Sequence, residues 1–150
     1  MKVCGVELKG SDAVICLLSM KDGIFDIPDC RVRKVSIDKT NSQSSLKFFQ
    51  TTFAKLMADY KIEKVVIRER PTKGKFAGSA IGFKLEAAIQ LIDKLPVELI
   101  TNLDIKESIK KNPLPVSFDD TGLKVFQESA FITAYAYLMH AHYSSPELAQ

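Results

Sequence analysis

The sequence predicts an α/β fold, as a single domain from residue 1 to residue 150. The expected sheet is mixed and five-stranded, three antiparallel strands followed by parallel strands, with helices flanking it. Three observations predict this. The chain opens on strand-like runs joined by polar turns, which suits an antiparallel meander. After the polar stretch "DKTNSQSS" the apolar period lengthens and strand-like and helix-like runs alternate, which demands right-handed crossovers onto a parallel part. The 150 residues are 46% hydrophobic and 26% charged, the balance of a folded chain long enough for its own core.

The elements follow in order. "KVCGVEL" has strand composition, and "AVICLLS" pairs with it as a hairpin across the turn-like "KGSD". "SMKDGIFDIPD" is expected to be a loop, broken by Gly23 and Pro28. "CRVRKVSI" alternates, with Val35 and Ile37 on one side and Val32 and Lys34 on the other, as in a strand with one wet face. Leu46, Phe49, Phe53, Leu56 and Tyr60 recur at three and four residues and predict an amphipathic helix. "IEKVVIRE" is the fourth strand. "GKFAGSAIGFKLEAAIQLIDKL" reads as largely helical, with Ala80, Ile81, Ala87, Ala88, Leu91 and Ile92 as its apolar side. "PVELI" is a short strand. "NLDIKESIKK" is a short basic helix with Asn102 as N-cap, ended before Pro113. After the loop "NPLPVSFDDTG" a long helix runs from about Leu123 to about His142, with boundaries good to about 2–4 residues and Ala130, Phe131, Ala134, Leu138 and Met139 toward the core. "SSPELAQ" is a tail.

Several classes are disfavoured. The net charge of +3 is compatible with nucleic acid without pointing to it. No apolar run is long enough for a bilayer, so no membrane partner is expected. "MKVCGVELKG" lacks the apolar core of a signal peptide, and a cytoplasmic location is expected. Cys4, Cys16 and Cys30 are odd in number and widely spaced, which argues against disulfides and zinc and for burial of all three.

Three glutamates have matched placings. Glu7 ends the first strand, Glu69 ends the fourth, and Glu128 stands in the first turns of the last helix. If the first and fourth strands are neighbours, Glu7 and Glu69 meet at one end of the sheet and Glu128 reaches them from above. Clustered carboxylates suit hard divalent cations, Mg2+ or Mn2+, and two such ions can bind the attacking and leaving oxygens of a phosphodiester. Each acid also has a plainer reading. Glu7 can sit at the hairpin turn, Glu69 can pair with Arg68, Arg70 or Lys64, and Glu128 follows Lys124 by one helical turn.

These strings resemble a known group. The order of elements resembles the ribonuclease H-like fold. "VCGVELKGSDAVICLL", "KVVIRE", "VELITNLDIKESIKK" and "FQESAFITAYAYL" resemble the first hairpin, fourth strand, fifth strand with its lysine-bearing segment, and last helix of RuvC-type Holliday-junction resolvases and related nuclease-like proteins of ribosomal RNA maturation. The whole chain also resembles a small uncharacterised bacterial family of unknown function. The resolvase resemblance implies metal-dependent phosphodiester hydrolysis, with Glu7, Glu69 and Glu128 as catalytic and metal-binding acids and Asp120, beside Asp119, as a further ligand. It implies that Arg68, Arg70, Lys73, Lys75, Lys106, Lys110 and Lys111 hold the phosphates of structured DNA or RNA. Two departures are visible: the first-strand acid of those families is aspartate where this chain has Glu7, and the last helix has one acid where two are usual.

The expectation is therefore a metal-dependent nuclease or nucleic-acid processing protein. The alternative is a non-catalytic binding or scaffold domain on the same fold, with a homodimer as its expected assembly. Gly74, Gly78 and Gly82 recur every fourth residue without the ending of a Walker loop, and close packing is the better reading for Gly82. His140 and His142 fall on different faces of a helix. Phe25 and Phe118 are expected in the core.

Overall fold

A computed structural model describes residues 1–38, 42–75 and 77–144. Residues 39–41 of the expected polar loop, Phe76 at the start of the expected second helix, and residues 145–150 of the expected tail lie outside them.

β1 (Lys2–Lys9) and β2 (Asp12–Lys21) form the expected hairpin, in register from Lys2 opposite Ser19 to Lys9 opposite Asp12. Gly10, at φ +59°, opens the tight turn. The stretch expected to be a loop makes another strand. β3 (Ile24–Asp26) folds back on β2 through Asp22 and Gly23, whose φ values are +54° and +79°. Two successive positive φ angles give the turn whose twist matches a hairpin, and Asp-Gly is a favoured pair for it. The sheet thus has six strands, where five were expected. β4 (Lys34–Ser36) is shorter than the alternating run and pairs with the other end of β2.

β5 (Lys64–Arg68) lies parallel to β1, with Val3 beside Lys64 and Val6 beside Ile67. β6 (Val97–Ile100) lies parallel to β5 and forms the far edge. The strand order is β3-β2-β1-β5-β6, with β4 also on β2. β1 and β5 are buried on both faces, as central strands should be.

α1 (Gln43–Asp59) is capped by Ser42, whose hydroxyl accepts from the Ser45 amide, and it buries Phe49, Phe53 and Met57. α2 (Ala80–Gln90) begins later than expected, because Ser79 caps it by accepting from the Gly82 amide. Its buried face is Gly82, Leu85, Ala88 and Ile89, while Ala80, Ala87 and Leu91 are exposed, so the apolar side is rotated from the one expected. α3 (Asn102–Lys111) is capped by Thr101, not by Asn102. α4 (Glu128–Ser144) starts after a 3-10 turn at Val125–Gln127. The expected single helix from Leu123 is therefore split.

The sheet divides two cores. On one face Cys4, Val6, Leu8, Val65 and Ile67 pack with Phe49 and Phe53 of α1 and Leu85 and Ile89 of α2. On the other, Val3, Val14, Cys16 and Val66 pack with Ile105 of α3 and Ala130, Phe131, Ala134 and Leu138 of α4. Each large apolar side chain so buried contributes about 1.5–3 kcal/mol. Phe25 and Phe118 pack against this second core, partly buried and in ring contact with Phe131. α4 rests directly on β1 at Gly5, where a Cβ would come 2.2 Å from the Ala130 carbonyl oxygen and 2.8 Å from the Ala134 Cβ. Cys4 and Cys16 are buried, and burial pushes the Cys16 thiol up to about 12. Cys30 is only partly buried, because β4 starts later than the run that was to hold it. Among the described residues no helix is long and apolar enough to cross a membrane.

Candidate functional site

The strand register decides which of the acids meet. Val6 stands beside Ile67, so the next pair along is Glu7 and Arg68. Side chains alternate along a strand. Glu7 therefore shares the α4 face with Val3 and Gly5, and Arg68 shares it with Val66. Arg68 Nη1 is 3.9 Å from Glu7 Oε2, with the Glu7 side chain 14% exposed. Arg68 Nε donates to Asn102 Oδ1 at 2.6 Å, and its Nη1 donates to Ser129 Oγ. One guanidinium thus joins β1, β5, α3 and α4.

Local sequence explains each partner. Thr101 takes the capping role, which leaves the Asn102 side chain free to accept from Arg68. Ser129 is in the first turn of α4, and buried Gln127 fixes where that turn begins. Its Oε1 accepts from the Lys124 amide, and its Nε2 donates to the Ile15 carbonyl of β2, both at 3.0 Å.

Glu69 lies one residue further on. Its amide donates to the Ile100 carbonyl at 2.9 Å, and its side chain is exposed. No ion pair holds it among the described residues: Arg68 turns to Glu7, and Lys64 to Glu98 at 3.0 Å. Its charge acts instead on Glu86 of α2. Burial first, and then the Glu69 carboxylate, push the Glu86 carboxyl above its ordinary range. Glu86 Oε2 and Arg70 Nε are both buried without a hydrogen-bond partner, and both residues line one small hollow with Gly78 and Gly82. Glu86 was not among the candidate acids. Its signal was weak, a carboxylate in the otherwise apolar run "LEAAI".

The remaining expected residues are dispersed. Glu128 is exposed at the first position of α4, and Lys124 lies before the helix, so the anticipated one-turn pair between them has no helix to carry it. Asp119 and Asp120 are exposed on a 3-10 turn. Asp120 lines a hollow with Ile24 and Phe25, beside the Ser19–Lys21 end of β2 and so away from Glu7. Lys73 and Lys75 are exposed in the loop after Pro71. Lys106, Lys110 and Lys111 are exposed on α3; the last two stand roughly 13 Å along the helix from Asn102, at 1.5 Å per residue.

Among the described residues no three His, Cys, Asp or Glu side chains are grouped so as to hold a metal ion. The arrangement at Glu7 is an acid already answered by a cation, held in turn by two neutral oxygens.

Residues 1–137 match the family described as "Protein of unknown function (DUF3010)". No curated protein is similar in sequence. Two solved structures cover nearly all of the chain. The Thermus thermophilus RuvC structure has a TM-score of 0.74 at 9% identity, over 97% of this chain and 98% of its own. T. thermophilus RuvC in complex with Holliday junction substrate has a TM-score of 0.70 at 9% identity, over 97% of each. The fold is ribonuclease H-like, as RuvC's is.

Proposed function

The chain belongs to the DUF3010 family, whose description carries no activity, and we propose that it binds nucleic acid at the Glu7–Arg68 end of the sheet without hydrolysing it. The observation that carries this reading is the placing of Arg68. Its guanidinium neutralises the acid that a metal ion would need as a bare ligand, and Asn102 and Ser129 hold it there. Arg70, Lys73 and Lys75 follow in the adjoining loop, and such groups recognise phosphate whatever the base sequence. The full-length likeness to a RuvC bound to a Holliday junction supports nucleic acid as the ligand class, though fold alone does not establish function.

The test combines binding and cleavage. Labelled branched, duplex and single-stranded oligonucleotides are titrated with and without Mg2+ or Mn2+, and the products are run on a denaturing gel. Binding independent of metal, with no product, is expected. Metal-dependent cleavage that is lost in both Glu7→Gln and Glu69→Gln overturns the reading.

That outcome would favour the second reading, metal-dependent phosphodiester hydrolysis with Glu7, Glu69 and Glu128 as ligands. One observation favours it: Glu69 and Glu86 bring two carboxylates within electrostatic reach of each other, with one Glu86 oxygen buried and unpartnered, although Arg70 lines the same hollow. It requires Glu7 to exchange Arg68 for the cation. Calorimetric titration with Mg2+ separates the two, since the first reading predicts no heat that depends on Glu69.

A further inference from the structure

We propose that a basic and aromatic groove on the β4 edge, built by Arg31, Val32, Arg33 and Lys34 with Lys124 and Phe126, seats an unpaired segment of a nucleic-acid strand. The proposal rests on the nucleic-acid reading above and names the form of ligand and a second surface, none of whose residues was among the candidates.

The groove has a volume of about 440 Å³, within the range of ligand-sized clefts. Its charge is largely uncompensated. Among the described residues Asp12 pairs with Lys34 at 3.7 Å, and no carboxylate pairs with Arg31, Arg33 or Lys124. Its apolar members are unusually open. Phe126 is 44% exposed, and Val125 beside it 82%. A large ring held at the surface among cations is poorly explained by core packing, while it suits a base stacked on the ring with phosphates on the flanking cations. A duplex keeps its bases stacked on one another and offers none to a ring in a hollow, so the fit is to an unpaired strand. The adjoining hollow shares Val32 and Lys34 and adds Phe48, 73% exposed, as a second ring.

The sheet links this groove to the Glu7–Arg68 end. Lys34 lies opposite Val14, and Val14 lies opposite Glu7. Lys34, Val14, Glu7 and Arg68 thus form one row across β4, β2, β1 and β5. Residues directly opposite point to the same face, so the row faces α4. At about 4.8 Å per strand, Lys34 and Glu7 are about 10 Å apart in the backbone. The segment from Lys124 to Ser129 crosses that row: Phe126 stands at the groove, Gln127 is pinned to Ile15, and Ser129 accepts from Arg68. That one segment thus carries residues of both the groove and the Glu7–Arg68 end.

The test uses fluorescence anisotropy with three probes: a blunt duplex, the same duplex with a single-stranded overhang, and the overhang strand alone. Phe126→Ala is expected to weaken the two probes with unpaired bases about tenfold, the loss of one stacked base, and to leave the blunt duplex unchanged. Phe48→Ala gives a smaller loss of the same kind. The Arg31→Ser, Arg33→Ser double variant is expected to flatten the salt dependence for the unpaired strand. Circular dichroism and the melting temperature of each variant confirm the fold. Equal affinity of Phe126→Ala and the native chain for the unpaired strand, or an equal loss on all three probes, overturns the seat. Native binding to the duplex with none to the single strand overturns the seat and keeps the proposed function; no binding to any probe overturns both. Displacement of the strand by poly-glutamate, with equal strength for the native chain and Phe126→Ala, overturns the seat in favour of an acidic protein partner.

Discussion

Glu7 and Arg68 stand side by side on neighbouring parallel strands, and the guanidinium that reaches the Glu7 carboxylate at 3.9 Å is also hydrogen-bonded to Asn102 and Ser129. The pair is partly shielded, with the Arg68 side chain 31% exposed. Its importance lies in connectivity, because an exposed ion pair of this length is worth little by itself. Arg68 links the two central strands to the first turns of α3 and α4.

Arg68→Ala leaves the two oxygens of Asn102 and Ser129 without their donor and the Glu7 carboxylate without its cation. Hydrogen bonds to charged groups are each worth about 1.5–3 kcal/mol, so a loss of stability in that range is expected in urea unfolding. Arg68→Lys keeps the charge but cannot reach Asn102 and Ser129 with one planar fork, and should recover only part. A loss below about 0.5 kcal/mol for Arg68→Ala would show that the contacts are incidental.

Gly5→Ala places a methyl group against the backbone of α4, 2.2 Å from the Ala130 carbonyl oxygen. Backbone cannot swing away as a side-chain tip can. The expected cost is about 3 kcal/mol, the upper end for overpacking, with a lower midpoint in denaturant. Stability unchanged from the native chain would mean that α4 is free to shift outward.

Glu86→Gln tests the half-buried carboxylate of α2. Burial and the Glu69 charge raise its pKa in the folded state. The folded protein then holds the Glu86 proton more tightly than the unfolded chain does, so this group's contribution is most favourable at low pH and is lost as pH rises from the unfolded value through the folded one. Removing the charge is expected to raise the melting temperature at pH 7, with the gain vanishing below about pH 4.3. A gain that persists unchanged in acid would assign the effect to packing.

Thr101→Ala and Asn102→Ala separate two adjacent polar residues. Thr101 caps α3, and its loss should cost about 1 kcal/mol. Asn102 serves Arg68 instead. In a double-mutant cycle with Arg68→Ala, Asn102→Ala is expected to couple by more than about 0.5 kcal/mol and Thr101→Ala by less.

Much of the fold was legible because long periodic runs carry their own signal. The fourth strand expected at "IEKVVIRE" is present as β5, and it does lie beside the first, the condition on which the strand-end acids were to approach. Short elements were harder. β3 has three residues, one of them Ile24 at 75% exposure, and only the Asp22–Gly23 turn identifies it. The phase of α2 was misread because Ser79 starts the helix later than the apolar run suggests, and the face that turns inward is Gly82, Leu85, Ala88 and Ile89. The candidate site shows the limit most clearly. A strand-end glutamate is easy to see in a sequence, yet a single step of register decides what stands beside it. That step sets Glu7 against Arg68, and no local pattern in "GVELKG" or "IRERP" reports it. Glu86 escaped notice because its significance comes from a neighbour on another element, Glu69.

Cys30 turns the uneven burial of the three thiols into an experimental handle. Cys4 and Cys16 are sealed in the two cores, with ionisation suppressed by burial, so their thiolates are scarce as well as inaccessible. Cys30 is partly open and adjoins Arg31 at the basic groove. A maleimide dye should therefore attach once per native chain, a stoichiometry that mass spectrometry reads directly, and three times after denaturation. The native sequence thus supplies its own reporter position next to the surface where a strand would enter, with no engineered cysteine needed.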